Sequence, residues 1–328
     1  VVGHLKYIFL FFSSLFIFAD PYIPEYVWNL GFAIAADQSP FKDGLPENYG
    51  TISHAFFVEP KKYIRNGKDG DIIWVQSVQI GRFCKEILPY LKYRFVLIVN
   101  DGDESFSFNQ QDCRRLVEDS RLIAVFSQNV ADTFCHPKIH HLPIGIDFHS
   151  IARENGFFGE QQYSVIEQEL ILSDILSGLL PTNQRKKRVA IDFGYNDFRG
   201  FGESRTDIIK KLLSLPFIDH LPGMPRHASW LEKGEYAFAV SPHGFGLDCH
   251  RTWEGLTLGN IVIVKTSSLD RMYEGLPVVI VNDWSEITEE NLDLWLEKYG
   301  DAFTHPSYRE KITHTYWMNK IRKIVESK

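Results

Sequence analysis

Between Ser241 and Val264 the chain reads "SPHGFGLDCHRTWEGLTLGNIVIV". His243, Asp248, His250 and Arg251 fall within nine residues, a density of ionisable groups that an apolar core does not use. Gly244 and Gly246 permit backbone conformations and close approaches that other residues resist. Asp248 is placed to cap a helix starting near Cys249 or His250. Such a helix carries Arg251 and Glu254 at i and i+3, and its first turn offers free amides at the positive end of its dipole. With Arg251 and His243 beside it, that terminus has the chemistry of a diphosphate cradle. Glu254 suits ribose or sugar hydroxyls, because one carboxylate accepts two hydrogen bonds. The plainer alternative is that Arg251 and Glu254 pair with each other on the helix surface.

The flanking residues extend the same chemistry. Gly259 is a natural helix stop. The strand "NIVIV" then delivers Lys265, Thr266, Ser267 and Ser268 to its carboxyl end, where open α/β sheets hold ligands. These four offer donors to phosphates or hydroxyls, or are ordinary loop polars. In "RGFGESRTDIIKK", Arg199 and Arg205 precede another helix, and Arg205 is a further phosphate candidate if that helix packs beside the first. In the amino-terminal half, "RFVLIVN" runs into Asp101, Asp103 and Glu104, again at the end of a strand.

Elements of a particular kind must position these residues. The runs "DIIWVQSVQI", "RFVLIVN", "RLIAVFSQNV" and "IHHLPIGIDF" alternate with helix-compatible segments, the βαβ cadence. Helical spacing follows from Val165 to Leu180. "PTNQRKKRVAIDFGY" then reads as a linker entering a new strand, and its basic run Arg185–Arg188 is a solvated strand entry or a binding patch. The pattern repeats with "RTDIIKKLLSL", "YAFAV", "HRTWEGLTLG", "NIVIV" and "LPVVIV". A helix is expected from about Ser285, and one long amphipathic helix through "YREKITHTYWMNKIRKIVES" that packs back across the junction. The organisation is residues 20–181 and 182–328 as two α/β domains with a cleft between them. The opening "IFLFFSSLFIF" makes residues 1–19 either an export signal or short anchor, or a buried strand. The first option implies the secretory pathway, periplasm or a membrane surface; the second leaves the protein in the cytoplasm.

Composition excludes several classes. The 328 residues carry 44% hydrophobic and 23% charged side chains, an ordinary globular balance, with a net charge of -7. That charge argues against a nucleic-acid partner. Cys84, Cys113, Cys135 and Cys249 form no CxxC pair and lack zinc-ligand spacing. No GxGxxG follows an early strand, and there is neither a GxxxxGK[ST] nor a G-x-S-x-G, so dinucleotide, P-loop and α/β-hydrolase sites have no support.

The segment from Tyr236 to Asp283 resembles the carboxyl-terminal portion of exostosin-like and related glycosyltransferases. The resemblance rests on Ser241, Pro242, His243, Gly244, Gly246, Arg251, Trp253, Glu254, Gly255, Leu256, Leu258, Gly259 and the "IVIV" strand. It departs at His243, where the family often has Arg, and at Asn260-Ile261-Val262, where Ile-Pro is typical. The resemblance implies a GT-B-like enzyme in which two Rossmann-like domains face each other across a cleft. The second domain would hold a UDP- or GDP-sugar through Arg251, Glu254, His243, Gly244, Gly246, Asp248, Lys265, Thr266, Ser267 and Arg205, and the acceptor would be a glycan or another hydroxyl compound. An inverting member would draw its base from the first domain, where Asp101, Asp103, Asp147 and His54 are candidates. No cofactor is required by the sequence; the turn from Asp101 to Glu104 leaves a divalent metal open. The competing classes are a periplasmic-type sugar-binding module without enzymatic activity and a nucleotide-sugar isomerase of related fold.

Overall fold

The computed structural model describes residues 22–42, 63–64, 66–133, 136–153, 156, 159–197, 201, 203–221 and 223–327. Segment 1–19, His54, Cys135 and Arg199 lie outside the described residues. Two sheets organise the chain. The first takes β1 (Asp71–Gln76), β2 (Phe95–Asn100), β3 (Leu122–Ser127) and β4 (Ile139–His141) in that spatial order. The second takes β5 (Lys186–Ile191), β6 (Ile218–His220), β7 (Tyr236–Val240), β8 (Ile261–Lys265) and β9 (Val278–Val281) in the order β6-β5-β7-β8-β9. Every pairing between these strands is parallel. Parallel strands are covered on both faces, which is why β7 and β2 up to Val99 are continuous apolar runs and both strands are buried at every position. This is the GT-B-like arrangement of two helix-flanked parallel sheets.

The helices among the described residues are α1 (Asn29–Ala35), α2 (Ile80–Glu86), α3 (Gln111–Glu118), α4 (His149–Arg153), α5 (Val165–Gly178), α6 (Arg205–Leu212), α7 (Arg226–Gly234), α8 (His250–Leu258), α9 (Glu289–Tyr299), α10 (Pro306–Lys311) and α11 (His314–Glu326). The sheets lie on either side of residue 181, and helices bind the halves together. α5, fixed by a Ser164–Glu167 capping box, packs on α7. α11 crosses back onto α1, β2 and β3. One apolar cluster runs through both halves and includes Trp28, Trp74, Trp253 and Trp317. The outer face of each sheet has its own cluster, around Phe83, Phe95 and Leu97 in the first and Ile191, Phe238 and Ile263 in the second.

Local chemistry shifts three element boundaries from the sequence expectation. β1 stops at Gln76, and the rest of its apolar run turns through a short 3-10 segment into α2. α9 starts later than expected because Thr288 caps it, accepting from the Asn291 N–H, while Asp283 caps a separate 3-10 turn at Trp284–Glu286. The closing segment is two helices rather than one, since Thr313 caps a new start and pairs with Tyr26 in an antiparallel bridge. Gly259 does stop α8, with φ +85°. The basic run is absorbed into β5: Lys187 pairs with Asp293, Arg188 with Asp219, and Arg185 donates to the Leu258 carbonyl at the end of α8. Among the described residues no helix is long and apolar enough to cross a membrane.

Candidate active site

In the second sheet the chain leaves β5 toward β6 on one side and returns to β7 on the other. A crevice therefore opens at the carboxyl ends of β5 and β7, the switch point where open α/β sheets bind ligands. Asp192 follows β5 directly, and the loop from Ser241 follows β7. A cavity of about 250 Å³ lies there. Arg251, Glu254, Gly244, Gly246, Asp248 and Arg205 all line it from the carboxyl-terminal half. Asp103 and Asp147 line it from the other half, so eight of the sequence candidates meet in one space.

The two glycines serve close approach. A Cβ on Gly244 would lie 2.8 Å from Arg205 Nη2, and one on Gly246 would lie 2.6 Å from Asn129 Nδ2. The loop is thereby pressed against the guanidinium on one side and the first half on the other. α8 begins at His250 with no side chain capping its first turn. Asp248 is not that cap. Its carboxylate is buried and accepts from the Ile144 N–H (2.7 Å), the Cys249 N–H (3.0 Å) and the Trp253 indole (2.9 Å), while its own N–H donates to Asn129 Oδ1 (2.8 Å). Asp248 is thus a clasp between the halves.

Burial pushes the Asp248 carboxyl up to about 7, against the opposing pull of its hydrogen bonds. A folded-state value above the unfolded one, near 3.9, gives stability that is fully present below about pH 4 and lost as pH rises through about 7. Asp248→Asn replaces an acceptor with an NH2 group facing N–H donors and should cost about 1–3 kcal/mol. Urea unfolding at pH 5 and pH 8 should show the gap between wild type and variant narrowing at the higher pH. A gap that widens would mean that the hydrogen bonds, rather than burial, set the titration.

In the cavity wall lies a buried charge network that the sequence did not disclose. Arg226 donates to Asp147 Oδ2 (3.0 Å) and to the Asp147 carbonyl, and stands 3.4 Å from Glu254. Lys233 bonds Asp192 (2.6 Å) and lies 3.6 Å from Glu254. Arg251 meets Asp192 at 3.4 Å and not Glu254, so the alternative of a surface pair on α8 does not form. The reason is burial: every residue from Thr252 to Leu258 is covered, and Glu254 points at α7. Arg205 has no carboxylate within ion-pair distance among the described residues. Burial first, and then the like charge of Arg251, hold its pKa below the usual arginine value. Two guanidiniums thus stand beside an uncapped helix start.

The remaining candidates take other places. His243 and Lys265 line a smaller recess that shares Arg205 and Gly244 with the main cavity. There the His243 ring bonds the Leu247 carbonyl (2.8 Å) and shapes the loop, and its pKa is lowered by burial, so it brings no charge to an anion at neutral pH. Lys265 pairs with Glu203 (3.0 Å). Thr266, Ser267 and Ser268 are absent from the lining of both spaces: the first two bond Asp270, and Ser268 donates to the Val130 carbonyl across the junction. Asp101, at φ +59°, is held by Asn29 and Gln76 and lines neither space. Asp103 stands exposed at the rim.

Asp147, His149 and His250 bring one ligand-type atom each within 4.8 Å of one another. Arg226 already neutralises Asp147, His149 Nδ1 lies 3.1 Å from Asp147 Oδ1, and His250 Nδ1 is spent on the Gly145 carbonyl (2.7 Å). Asp147 is thus held by Arg226 and His149, and one ring nitrogen of His250 is committed to the other half.

The chain matches no protein family and no curated protein. Among solved structures it is similar to the amino-terminal domain of Candida albicans trehalose-6-phosphate phosphatase, at 13% identity over 82% of this chain and 72% of that one, with a TM-score of 0.41. An E. coli trehalose-6-phosphate structure bound with UDP-2-fluoro glucose matches at 12% identity over 82% and 74%, with a TM-score of 0.38. An alpha-glucosyltransferase in complex with UDP-glucose and DNA containing an abasic site matches at 12% identity over 85% and 88%, with a TM-score of 0.36. Likenesses at these values bear on no residue's role.

Proposed function

We propose that the protein is a glycosyltransferase that moves a sugar from a nucleoside-diphosphate donor, a UDP- or GDP-sugar, to a hydroxyl acceptor such as a glycan. The observation that carries this reading is the pairing of Arg205 and Arg251 beside the uncapped start of α8, at the switch point of the second sheet. Two guanidiniums and helix amides suit a diphosphate that gains charge as it leaves. The resemblance of Ser241–Gly259 to the exostosin-like loop and helix supports the same reading. Glu254 lines the cavity between Arg226 and Lys233, which fix its position, and its Oε1 has no hydrogen-bond partner among the described residues, in keeping with a part in holding donor hydroxyls.

Calorimetry and thermal shift with UDP, GDP and free monosaccharides test the reading. Nucleotide should stabilise the protein at concentrations at which monosaccharides do not. The reverse pattern would favour a sugar-binding module. A panel of UDP-, GDP- and CMP-sugars assayed for donor hydrolysis then identifies the sugar. No binding and no turnover across the panel would end the transferase reading.

A further inference from the structure

Transfer to a hydroxyl needs a group that accepts its proton. Asp147, Glu254, Asp192 and Asp101 are poorly suited to that, Asp248 is already engaged by three N–H donors, and Asp103 at the rim is the rival base. Burial alone would raise Asp147, but His149 and Arg226 hold it well below the usual carboxylate range, which makes it a weak base. Glu254 and Asp192 each sit between two cations. Asp101 is bound to Asn29 and Gln76 and faces neither space.

His250 differs from all of them. It is the first residue of α8, adjacent in sequence to Arg251, and it lines the cavity. Its Nδ1 lies 2.7 Å from the Gly145 carbonyl of the other half. A carbonyl only accepts, so Nδ1 carries the proton and Nε2 carries the lone pair. Nε2 has no hydrogen-bond partner among the described residues. The ring therefore stands where the two halves meet, one residue from the proposed phosphate site, in the tautomer that accepts a proton.

We propose that His250 is the general base of the transfer step, an inference that rests on the glycosyltransferase reading. Nε2 takes the proton of the acceptor hydroxyl as that oxygen bonds the anomeric carbon. The bond from that carbon to the diphosphate oxygen breaks, and its electron pair leaves with the diphosphate toward Arg205 and Arg251. A single displacement of this kind inverts the anomeric configuration. Burial, the largest influence on the ring, lowers its pKa and His149 adds to this, while Asp147 and Glu254 oppose it; Asp103, Asp192, Asp248, Arg205, Arg226 and Arg251 are the other charged groups that line the cavity. The imidazole is accordingly neutral at neutral pH. The acid limb of the rate profile should fall below the usual histidine value.

His250→Asn tests the proposal, because the amide can still donate to the Gly145 carbonyl while the basic nitrogen is gone. The variant should bind UDP or GDP as wild type does and lose at least about 100-fold in kcat on the sugar nucleotide that wild type turns over. KM for the donor should hold, and the acid limb should vanish. The product of wild type should be inverted by NMR. If His250→Asn does not fold, His250→Ala with added imidazole replaces it, and recovery of roughly tenfold in rate is expected. Nucleotide binding with undiminished kcat, or a retained anomeric configuration, overturns the base while leaving the transferase reading intact. Failure of wild type to bind any nucleotide removes both.

Discussion

Arg226→Met is expected to lower the unfolding free energy by about 3–5 kcal/mol, the cost of leaving buried charge without its partner. Arg226 is only 8% exposed and serves two buried carboxylates, Asp147 of the first half and Glu254 of the second. Methionine keeps much of the apolar stem, so the loss reports the charge rather than the volume. The deficit should depend on pH. Asp147 is held below its unfolded value, so its contribution is present above about pH 4 and disappears as pH falls through the folded value. Without Arg226 that contribution is missing, and the gap to wild type should be widest at pH 7 and close toward acid. Adding Asp147→Asn should recover part of the loss, which isolates the pair from the rest of the network. Urea unfolding at pH 7 and at about pH 2 gives all of these values. A deficit under about 1 kcal/mol at pH 7 would mean that water reaches the two carboxylates.

The same network marks how far the sequence could be read. Alternating apolar runs announced two parallel sheets, because a strand buried on both faces leaves a continuous apolar signature. The loop from Ser241 announced itself through glycines packed among ionisable residues. Arg226 and Lys233 sent no such signal. On an isolated helix they look like solvated cations, and only the packing of α7 on α8 turns them inward. Asp192 fell inside the strand expected in "RVAIDFGY", and strand order is a non-local property. Nothing local says that β5 neighbours β7 and so opens the crevice beside it. Asp248 misled for a related reason: a residue before a helix is ordinarily a cap, yet here Ile144 from the other half supplied a nearer donor. The i, i+3 alternative on α8, Arg251 with Glu254, does not form because two buried cations of α7 stand nearer to Glu254. His250 was legible as chemistry but not as a base, since its tautomer is set by Gly145, far away in sequence.

Arg205→Ala and Arg251→Ala should each cost roughly tenfold to hundredfold in UDP or GDP affinity, since a charge-assisted bond contributes about 1.5–3 kcal/mol. The double variant should lose roughly 10²- to 10⁴-fold if each guanidinium holds phosphate separately. Stability should move differently. Arg205 lies against a like charge, with burial and then Arg251 both working against its cationic form. Removing it relieves that repulsion, and the unliganded protein should lose little stability despite the lost packing against Phe193, 5.9 Å from the guanidinium carbon. Arg251 is the counter-case, because its loss strips Asp192 of one of two partners and leaves Lys233 alone to balance that buried carboxylate. Arg251→Ala should therefore weaken both binding and folding, whereas Arg205→Ala should weaken binding while nearly sparing the fold. A bound diphosphate resolves the conflict in wild type by placing negative charge between two cations that otherwise repel. Calorimetry at two salt concentrations, with urea unfolding of each variant, separates these effects. Folded variants that bind nucleotide as tightly as wild type would take the phosphate site away from this pair, and the transferase reading would lose the observation that carries it.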